Sequence, residues 1–251
     1  MIDTIGVVIP AHNEEDRIGA CLTSVRRSLV GLPSRIDTVV AVVLDRCTDR
    51  TPEVVRELIR GWPGARTYPM SHRAEDHGVG FVRNAGVRSL LCGLPGTDPR
   101  RVWLLNTDAD TTVPAAWARD HLRYAEAGMH GVAGLADLAD DAEIDAGALA
   151  RYRGLVSDGM RGRTHTHVYA ANLGVRADAY LGSGGFPVSG HGEDHRLWRA
   201  MTDAGLRLCQ PIEPCVVTSA RSSGRAPDGL ADLLRSLGQD SVQRQDSEFA
   251  V

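Results

Sequence analysis

Two aspartates one residue apart, Asp108 and Asp110, close the apolar run in Val102-Trp-Leu-Leu-Asn-Thr-Asp-Ala-Asp-Thr-Thr-Val113. An apolar run of this length followed at once by polar residues reads as a buried strand ending in a loop. Carboxylates held this close repel one another, and a cation between them removes that cost. Oxygen-only ligands select a hard cation, Mg2+ or Mn2+, and such ions usually hold substrate phosphates as well. The stretch therefore points to a metal–diphosphate site. Short acidic pairs are common in solvated turns, so the rest of the chain has to support the assignment.

The elements that would carry this pair alternate. Ile5 to Pro10 reads as a buried first strand, stopped by Pro10. Asn13 is expected to cap a helix whose first turn holds Glu14, Glu15 and Asp16. Ile18, Cys21, Leu22, Val25 and Leu29 form its apolar stripe, ended by Gly31 and Pro33. Ile36 to Leu44 is a β-branched run that ends at Asp45, and Thr51-Pro-Glu is expected to start a second helix with Thr51 as its cap. Ala65 to Met70 is a third strand, Val79 to Leu91 a third helix, and Arg101 to Asn106 the fourth strand. Such alternation implies parallel crossovers and an α/β layered domain, with ligands beyond the carboxyl ends of the strands. Pro10, Asp45 and Asp108 all lie at such ends.

The second half is less regular. Expected there are a helix from Ala115 to Ala127 opened by Pro114, a strand from His130 to Leu138 and a helix from Ile144 to Met160. An extended stretch from His165 to Val175 and a short helix from Arg176 to Leu181 follow. A helix begins at Glu193-Asp194-His195, and two short strands run from Leu206 to Cys209 and from Cys215 to Thr218. From Ser222 onward the chain is polar.

The 251 residues suit one domain, and a formal charge of −4 argues against a general nucleic-acid binder. All 28 Lys+Arg positions are arginine, so chemistry that needs a lysine is excluded. Cys21, Cys47, Cys92, Cys209 and Cys215 are odd in number and form no C-x-x-C pair, which indicates neither a zinc framework nor a disulfide scaffold. The opening Met1-Ile-Asp-Thr4 carries no basic leader region and no apolar run reaches bilayer length. The expectation is a chain without a transmembrane segment, in a reducing cytoplasm.

Taken together, six motifs in order resemble glycosyltransferase family 2. They are Val7-Val-Ile-Pro-Ala-His-Asn-Glu-Glu15, Asp45 with Thr48-Asp49-x-Thr51, Gly80-x-x-Arg83-Asn84-x-Gly86, Asp108-Ala-Asp110, Gly184-Gly-Phe-Pro187 and Gly192-Glu-Asp194. Each is weak alone, and chance does not readily set six in order. The resemblance implies an α/β GT-A fold, Rossmann-like, with a mixed, mostly parallel central sheet and helices on both faces. It implies one domain over residues 1–221, with 1–110 binding the nucleotide sugar, 111–221 binding the acceptor, and 222–251 a polar or helical tail. It also implies a metal-dependent, inverting, non-processive transfer of one sugar from a UDP- or GDP-sugar to a small-molecule or glycan acceptor.

Roles follow position by position. Pro10, Ala11, His12, Asn13 and Glu14 would line base and ribose, and Asp45 would accept a hydrogen bond from the base. Arg83 would lie near the nucleotide or its diphosphate, Asp108 with Ala109 would meet ribose or metal, and Asp108 and Asp110 would ligate Mg2+ or Mn2+. Gly184 to Pro187 would shape the acceptor side, and Asp194 would be the catalytic base. Where members commonly show Asp-Asp-Gly-Ser-Thr-Asp, this chain has Leu44-Asp-Arg-Cys-Thr-Asp49, losing an acid and gaining Arg46 beside the base pocket. The Q-x-x-R-W mark of processive members is absent. Thr164-His-Thr-His-Val-Tyr169 matches no family motif, and His167, His191 and His195 are candidate acceptor contacts. The remaining histidines, His72 and His77 among them, read as solvated or core residues, and Trp103, Trp117 and Trp198 as core.

Other readings of the same residues stay open. Glu193 and Asp194 also suit a helix start as simple capping acids. Asp108-Ala-Asp-Thr-Thr-Val113 fits the D-x-D-x-T-[LV] motif of haloacid-dehalogenase-type phosphatases, whose first Asp attacks a phosphoryl group beside Mg2+. That motif normally ends the first strand and works with a downstream lysine. A non-catalytic nucleotide-sugar-binding protein would carry the same first-half motifs, and homodimerisation is left open.

Overall fold

A computed structural model of the chain describes residues 1–70, 78–139, 146–188, 192–221, 230 and 233–237. The first half alternates: β1 (Thr4–Ala11), α1 (Ile18–Val30), β2 (Asp37–Asp45), α2 (Thr51–Ile59), β3 (Ala65–Met70), α3 (Val79–Cys92) and β4 (Val102–Asn106). The second half runs β5 (Thr111–Thr112), α4 (Trp117–Glu126), β6 (Gly131–Ala133), β7 (Leu135–Leu138), α5 (Ala146–Asp158), β8 (Met160–Arg161) and β9 (Thr164–His165). It continues with β10 (Leu173–Arg176), α6 (Ala177–Gly182), α7 (Glu193–Asp203), β11 (Leu208–Cys209) and β12 (Cys215–Thr218).

Seven strands form the main sheet in the order β11-β6-β10-β4-β1-β2-β3. Within it β1 pairs in parallel with both β2 and β4, whereas β10 is antiparallel to β4 and β6. A sheet covered on both faces buries both sides of its central strands, so these read as unbroken apolar runs. Ile5, Val7 and Ile9 of β1 pack under α1 and α4, while Val8 packs under α3. Helices α1, α2 and α4 cover one face, and α3, α6 and α7 the other. The strand order reverses at β1, and in sheets of this kind the ligand crevice lies at the carboxyl ends of the strands flanking such a reversal, here β1 and β4. A second sheet, β5-β12-β7, lies beyond β4.

Several expectations need correction. Asn13 does not cap α1, which starts at Ile18 with Arg17 in the capping position and no side-chain cap. Asn13 is left-handed (φ 52°), and its Oδ1 accepts from Thr48 N at 2.7 Å. Its short amide side chain tolerates that conformation and finds donors in the loop after β2. Thr51 is the first residue of α2 rather than its cap, and its Oγ1 accepts from Glu14 N at 2.6 Å. The expected strand from His130 to Leu138 breaks at Gly134 into β6 and β7, which belong to different sheets. A Cβ there would meet Asn172 Nδ2 at 2.3 Å and Pro214 O at 2.4 Å, so the chain bends around an inserted side chain. The stretch expected to be extended from His165 to Val175 holds only the ends of β9 and β10, with a 3-10 turn at Ala170–Asn172 between them. His72, His77 and His191, the expected helix start at 144–145, and the tail beyond 221 apart from residues 230 and 233–237 lie outside the described residues. Within that tail Leu234 is buried against Leu149 and Tyr152 of α5.

Asn172, inserted at Gly134, joins the layers. Its Oδ1 accepts from Trp117 Nε1 at 2.9 Å and lies 3.1 Å from His121 Nε2, both on α4. Its Nδ2 donates to Leu135 O at 2.7 Å and Pro214 O at 2.9 Å. An amide oxygen only accepts, so His121 carries its proton on Nε2, and His121 Nδ1 has no partner among the described residues. Burial pushes the fully enclosed His121 down to about 4. The unfolded chain therefore binds the extra proton first, and stability held above pH 6.5 is lost as pH falls towards 4. A shift of this size corresponds to about 3 kcal/mol. His121→Gln, a neutral donor, should flatten the pH dependence of urea unfolding free energy between those values; an unchanged slope would assign the acid sensitivity to other groups.

Candidate active site

The loops after β1 and β2 are laced together. Besides the Asn13 and Thr51 bonds, Glu15 N donates to Asp49 Oδ2 at 3.1 Å and Arg50 N donates to Glu15 Oε2 at 2.9 Å. Burial raises the Asp49 carboxyl, but hydrogen bonds from Thr51 and Glu15 outweigh this and hold it below its ordinary value. This lacing fixes Pro10 to Glu14 at one wall of the crevice. His12 Nδ1 lies 2.5 Å from Asp45 O, bringing the ends of β1 and β2 together. The Asp45 carboxylate is forked by its neighbour, with Arg46 Nε and Nη2 each at 3.0 Å. The arginine that departs from the family pattern thus covers the acid expected to read the base.

At the end of β4 three carboxylates crowd together. Burial, then Asp108, then Glu14 push Asp110 up to about 6, while Arg221 opposes them. The same carboxylates, after burial, raise the thiol of Cys21, whose Sγ donates to Asp108 O at 3.2 Å. Two arginines sit among the acids. Arg83, 2% exposed, donates from Nη2 to Asp108 Oδ1, and its Nε lies 3.8 Å from Glu193 Oε1. Burial pulls the Arg83 guanidinium down, but Asp108 and Glu193 outweigh it and raise it. Arg221 Nη2 lies 3.0 Å from Asp110 Oδ2 and 2.8 Å from Glu14 Oε1. Arg221 follows β12 in a polar segment with no motif, and the sequence reading missed it.

The glycine motifs explain how Arg83 gets there. A Cβ on Gly86 would meet Val8 at 2.6 Å and Val43 at 2.7 Å, so α3 lies flush on the sheet. A Cβ on Gly80 would meet Pro187 O at 2.3 Å, so the same helix also abuts the Gly184–Pro187 loop. Asn84 Nδ2 donates to Phe186 O and its Oδ1 accepts from Tyr180 OH, tying that loop to α3. Gly184 and Gly185 have φ of 84° and 72°, values that L side chains rarely adopt.

Asp194 opens α7. Its Oδ2 accepts from Ala170 N at 3.0 Å and its Oδ1 from His195 N at 2.8 Å. Glu193, the residue before it, is raised by burial while Arg83 opposes. Arg83 therefore connects the β4 end to the start of α7. His167 stacks between His165 and Tyr169, with ring centroids 5.8 and 5.7 Å away, and its Nε2 lies 3.0 Å from Val156 O. These contacts hold the His167 ring in place; His195 follows Asp194 directly.

Among the described residues, no three His, Cys, Asp or Glu side chains converge as a ready-made metal cage. Mg2+ and Mn2+ do not require one, since one or two carboxylates plus substrate phosphates suffice. The crowding that raises Asp110 is the electrostatic demand such a cation would meet.

The family model for glycosyl transferase family 2 matches residues 6–146, more than half of the chain. The chain belongs to glycosyl transferase family 2. No curated protein sequence matches the family 2 chain significantly. Among solved structures, a mannosyltransferase, PcManGT from Pyrobaculum calidifontis in complex with GDP-Man and Mn2+, is 17% identical with a TM-score of 0.64, covering 92% of this chain and 68% of that one. S. aureus TarS 1-349 in complex with UDP is 13% identical with a TM-score of 0.64, covering 86% of this chain and 60% of that one. GalNAc-T7 with UDP, GalNAc and Mn2+ is 12% identical with a TM-score of 0.64, covering 93% of this chain and 48% of that one. At these identities the likeness is one of fold, the GT-A arrangement of a mostly parallel sheet between helices. The chain spans about three fifths of the TarS chain it matches. No helix among the described residues is long and apolar enough to cross a membrane.

Removing Arg83 leaves Glu193 buried without its charge partner. Arg83→Met should cost about 3–5 kcal/mol. Adding Glu193→Gln should restore part of that loss, giving a coupling of about 1 kcal/mol or more in urea unfolding. Strict additivity would deny the link between β4 and α7.

Proposed function

We propose that the chain is a non-processive glycosyltransferase that moves one sugar from a UDP- or GDP-sugar to a small-molecule or glycan acceptor, with Mg2+ or Mn2+ and with inversion. The observation that carries this reading is the carboxylate cluster of Glu14, Asp108 and Asp110 beside β1 and β4, joined through Arg83 to the helix that opens with Asp194. The GT-A neighbours bound to GDP-Man or UDP support the donor class, and two of them carry Mn2+. In this reading residues 1–110 hold the donor and 111–221 the acceptor. The free thiols Cys21, Cys47, Cys92, Cys209 and Cys215 suit a reducing, cytoplasmic setting.

Each residue has a task. Pro10 to Glu14 hold base and ribose, with Asp45 accepting from the base once Arg46 yields or joins the contact. Asp108 and Asp110 would hold the divalent cation, which would supply positive charge to the departing nucleoside diphosphate. Asp194 takes the proton of the acceptor hydroxyl. The hydroxyl oxygen bonds to the anomeric carbon as the bond from that carbon to the diphosphate breaks, which inverts the centre. The backbone N–H groups of Ala170 and His195, one on each oxygen, aim the Asp194 carboxylate. A phosphatase use of Asp108 as nucleophile is less well supported, because the motif ends β4 rather than the first strand and the chain has no lysine.

A thermal-shift panel of UDP-, GDP-, dTDP- and CDP-sugars with and without Mn2+ tests the donor assignment. A donor at about a hundred times its Kd should stabilise the fold by about 2.7 kcal/mol. Asp110→Ala should abolish the Mn2+-dependent part of that shift; an unaltered shift would remove Asp110 from the metal site. Asp194→Asn should keep donor binding and lower transfer by about 10²–10⁴-fold. Transfer at the original rate would place the base elsewhere, and acceptor-independent phosphate release from simple esters would favour the phosphatase.

A further inference from the structure

We propose that Arg221 is a built-in cation of the diphosphate site. Its guanidinium occupies the space between Glu14 and Asp110 until a donor arrives, and then turns to the diphosphate. The proposal rests on the donor reading above for its second half only.

Three contacts define the position. Arg221 Nη1 donates to Glu14 Oε2 at 3.0 Å, Nη2 lies 2.8 Å from Glu14 Oε1, and the same Nη2 lies 3.0 Å from Asp110 Oδ2. One guanidinium thus forks the Glu14 carboxylate and bridges it to Asp110. These oxygens come from the ends of β1 and β4, the two strands that flank the crevice. Both carboxylates are largely enclosed, at 6% and 12% side-chain exposure, while Arg221 is 20% exposed and keeps one side towards the opening.

The position is set by the backbone. Thr218 of β12 accepts from Thr111 Oγ1 at 2.9 Å and reaches Asp110 Oδ1 at 3.4 Å, and Arg221 N donates to Ser219 Oγ at 3.3 Å. The strand that delivers the arginine is therefore anchored on the residues around the acid it neutralises. A long surface arginine reaching inward by chance would lack such anchoring.

A guanidinium and a divalent cation compete for Asp110, because Arg221 already holds its Oδ2 and two positive charges against one carboxylate repel. In the nucleotide-free protein a metal ion would therefore bind against the competition of Arg221. With a nucleoside diphosphate and its metal bound, Asp110 would serve the metal and the released Arg221 guanidinium would meet the anionic phosphate oxygens. Its planar fork matches phosphate as well as carboxylate, so the exchange keeps its hydrogen bonds. The carboxylate cluster is never left without positive charge.

The test uses the full chain as wild type, Arg221→Gln and Arg221→Lys. Free Mn2+ is titrated by electron paramagnetic resonance without nucleotide, and UDP and GDP are then titrated by calorimetry at saturating Mn2+. Arg221→Gln should bind Mn2+ alone about tenfold more tightly and the nucleotide about tenfold more weakly. Arg221→Lys, which keeps the charge but loses the fork, should lie between. Equal Mn2+ affinity in wild type and Arg221→Gln overturns the competition, and equal nucleotide affinity overturns the transfer to phosphate. Should Arg221→Gln fail to fold, Arg221→Lys decides in the same two directions. If neither UDP nor GDP binds wild type, the donor reading fails, while the Mn2+ titration still judges the competition by itself.

Discussion

Repulsion among carboxylates is the constraint to which the rest of the crevice answers. Burial raises Asp110 and Glu193, and neighbouring acids add to it: Asp108 and Glu14 at Asp110, Asp194 and Asp108 at Glu193. Two arginines meet that cost in the folded chain. Arg83 stands between Asp108 and Glu193, and Arg221 between Asp110 and Glu14. Each arginine joins acids from different elements, so neutralising charge and aligning the strands and helices of the site are one event. A cluster built this way is receptive to cations, which suits the diphosphate-holding role proposed for it.

The supporting packing follows from where the arginines have to be. Arg83 reaches Asp108 because α3 lies on the sheet at Gly86 and against the 184–187 loop at Gly80. Asn84, the next residue, locks that loop through Phe186 O and Tyr180 OH. In three dimensions the motif from Gly80 to Gly86 is a helix docking device that carries one buried charge. Lys in place of Arg83 would keep the charge but could not address Asp108 and Glu193 from one planar group.

The first half of the fold was legible because its strands are buried on both faces and its helices carry a clear apolar stripe. The carboxyl-end positions of Pro10, Asp45 and Asp108 followed from that alternation alone. Legibility failed where long-range partners override local preference. Asn13 looks like a helix cap, but the amide groups of Thr48 and Asp49 compete for its side chain. The run from His130 to Leu138 has the pattern of one strand, yet Asn172 from forty residues later wedges into it at Gly134. Arg221 carries no local signal at all. Nothing in a polar stretch after a short strand says which acid it will meet, because that depends on how β12 pairs with β5 and β7. The catalytic role proposed for Asp194 rests on the resemblance, while its two backbone donors, Ala170 N and His195 N, needed coordinates.

The pairing of β12 has one more consequence. In register Thr218 faces Thr111 and Val217 faces Thr112, so the strand runs directly past the residues that follow Asp110. Side chains alternate across a strand, and a slip of one residue would turn Thr218 away from Asp110 and shift Arg221 by about 3.3 Å. The segment from Cys215 to Arg221 therefore works as a ruler, whose length sets the charge balance of the site. Related chains can vary freely on the exposed side of β12, but insertions and deletions there should be far rarer than substitutions.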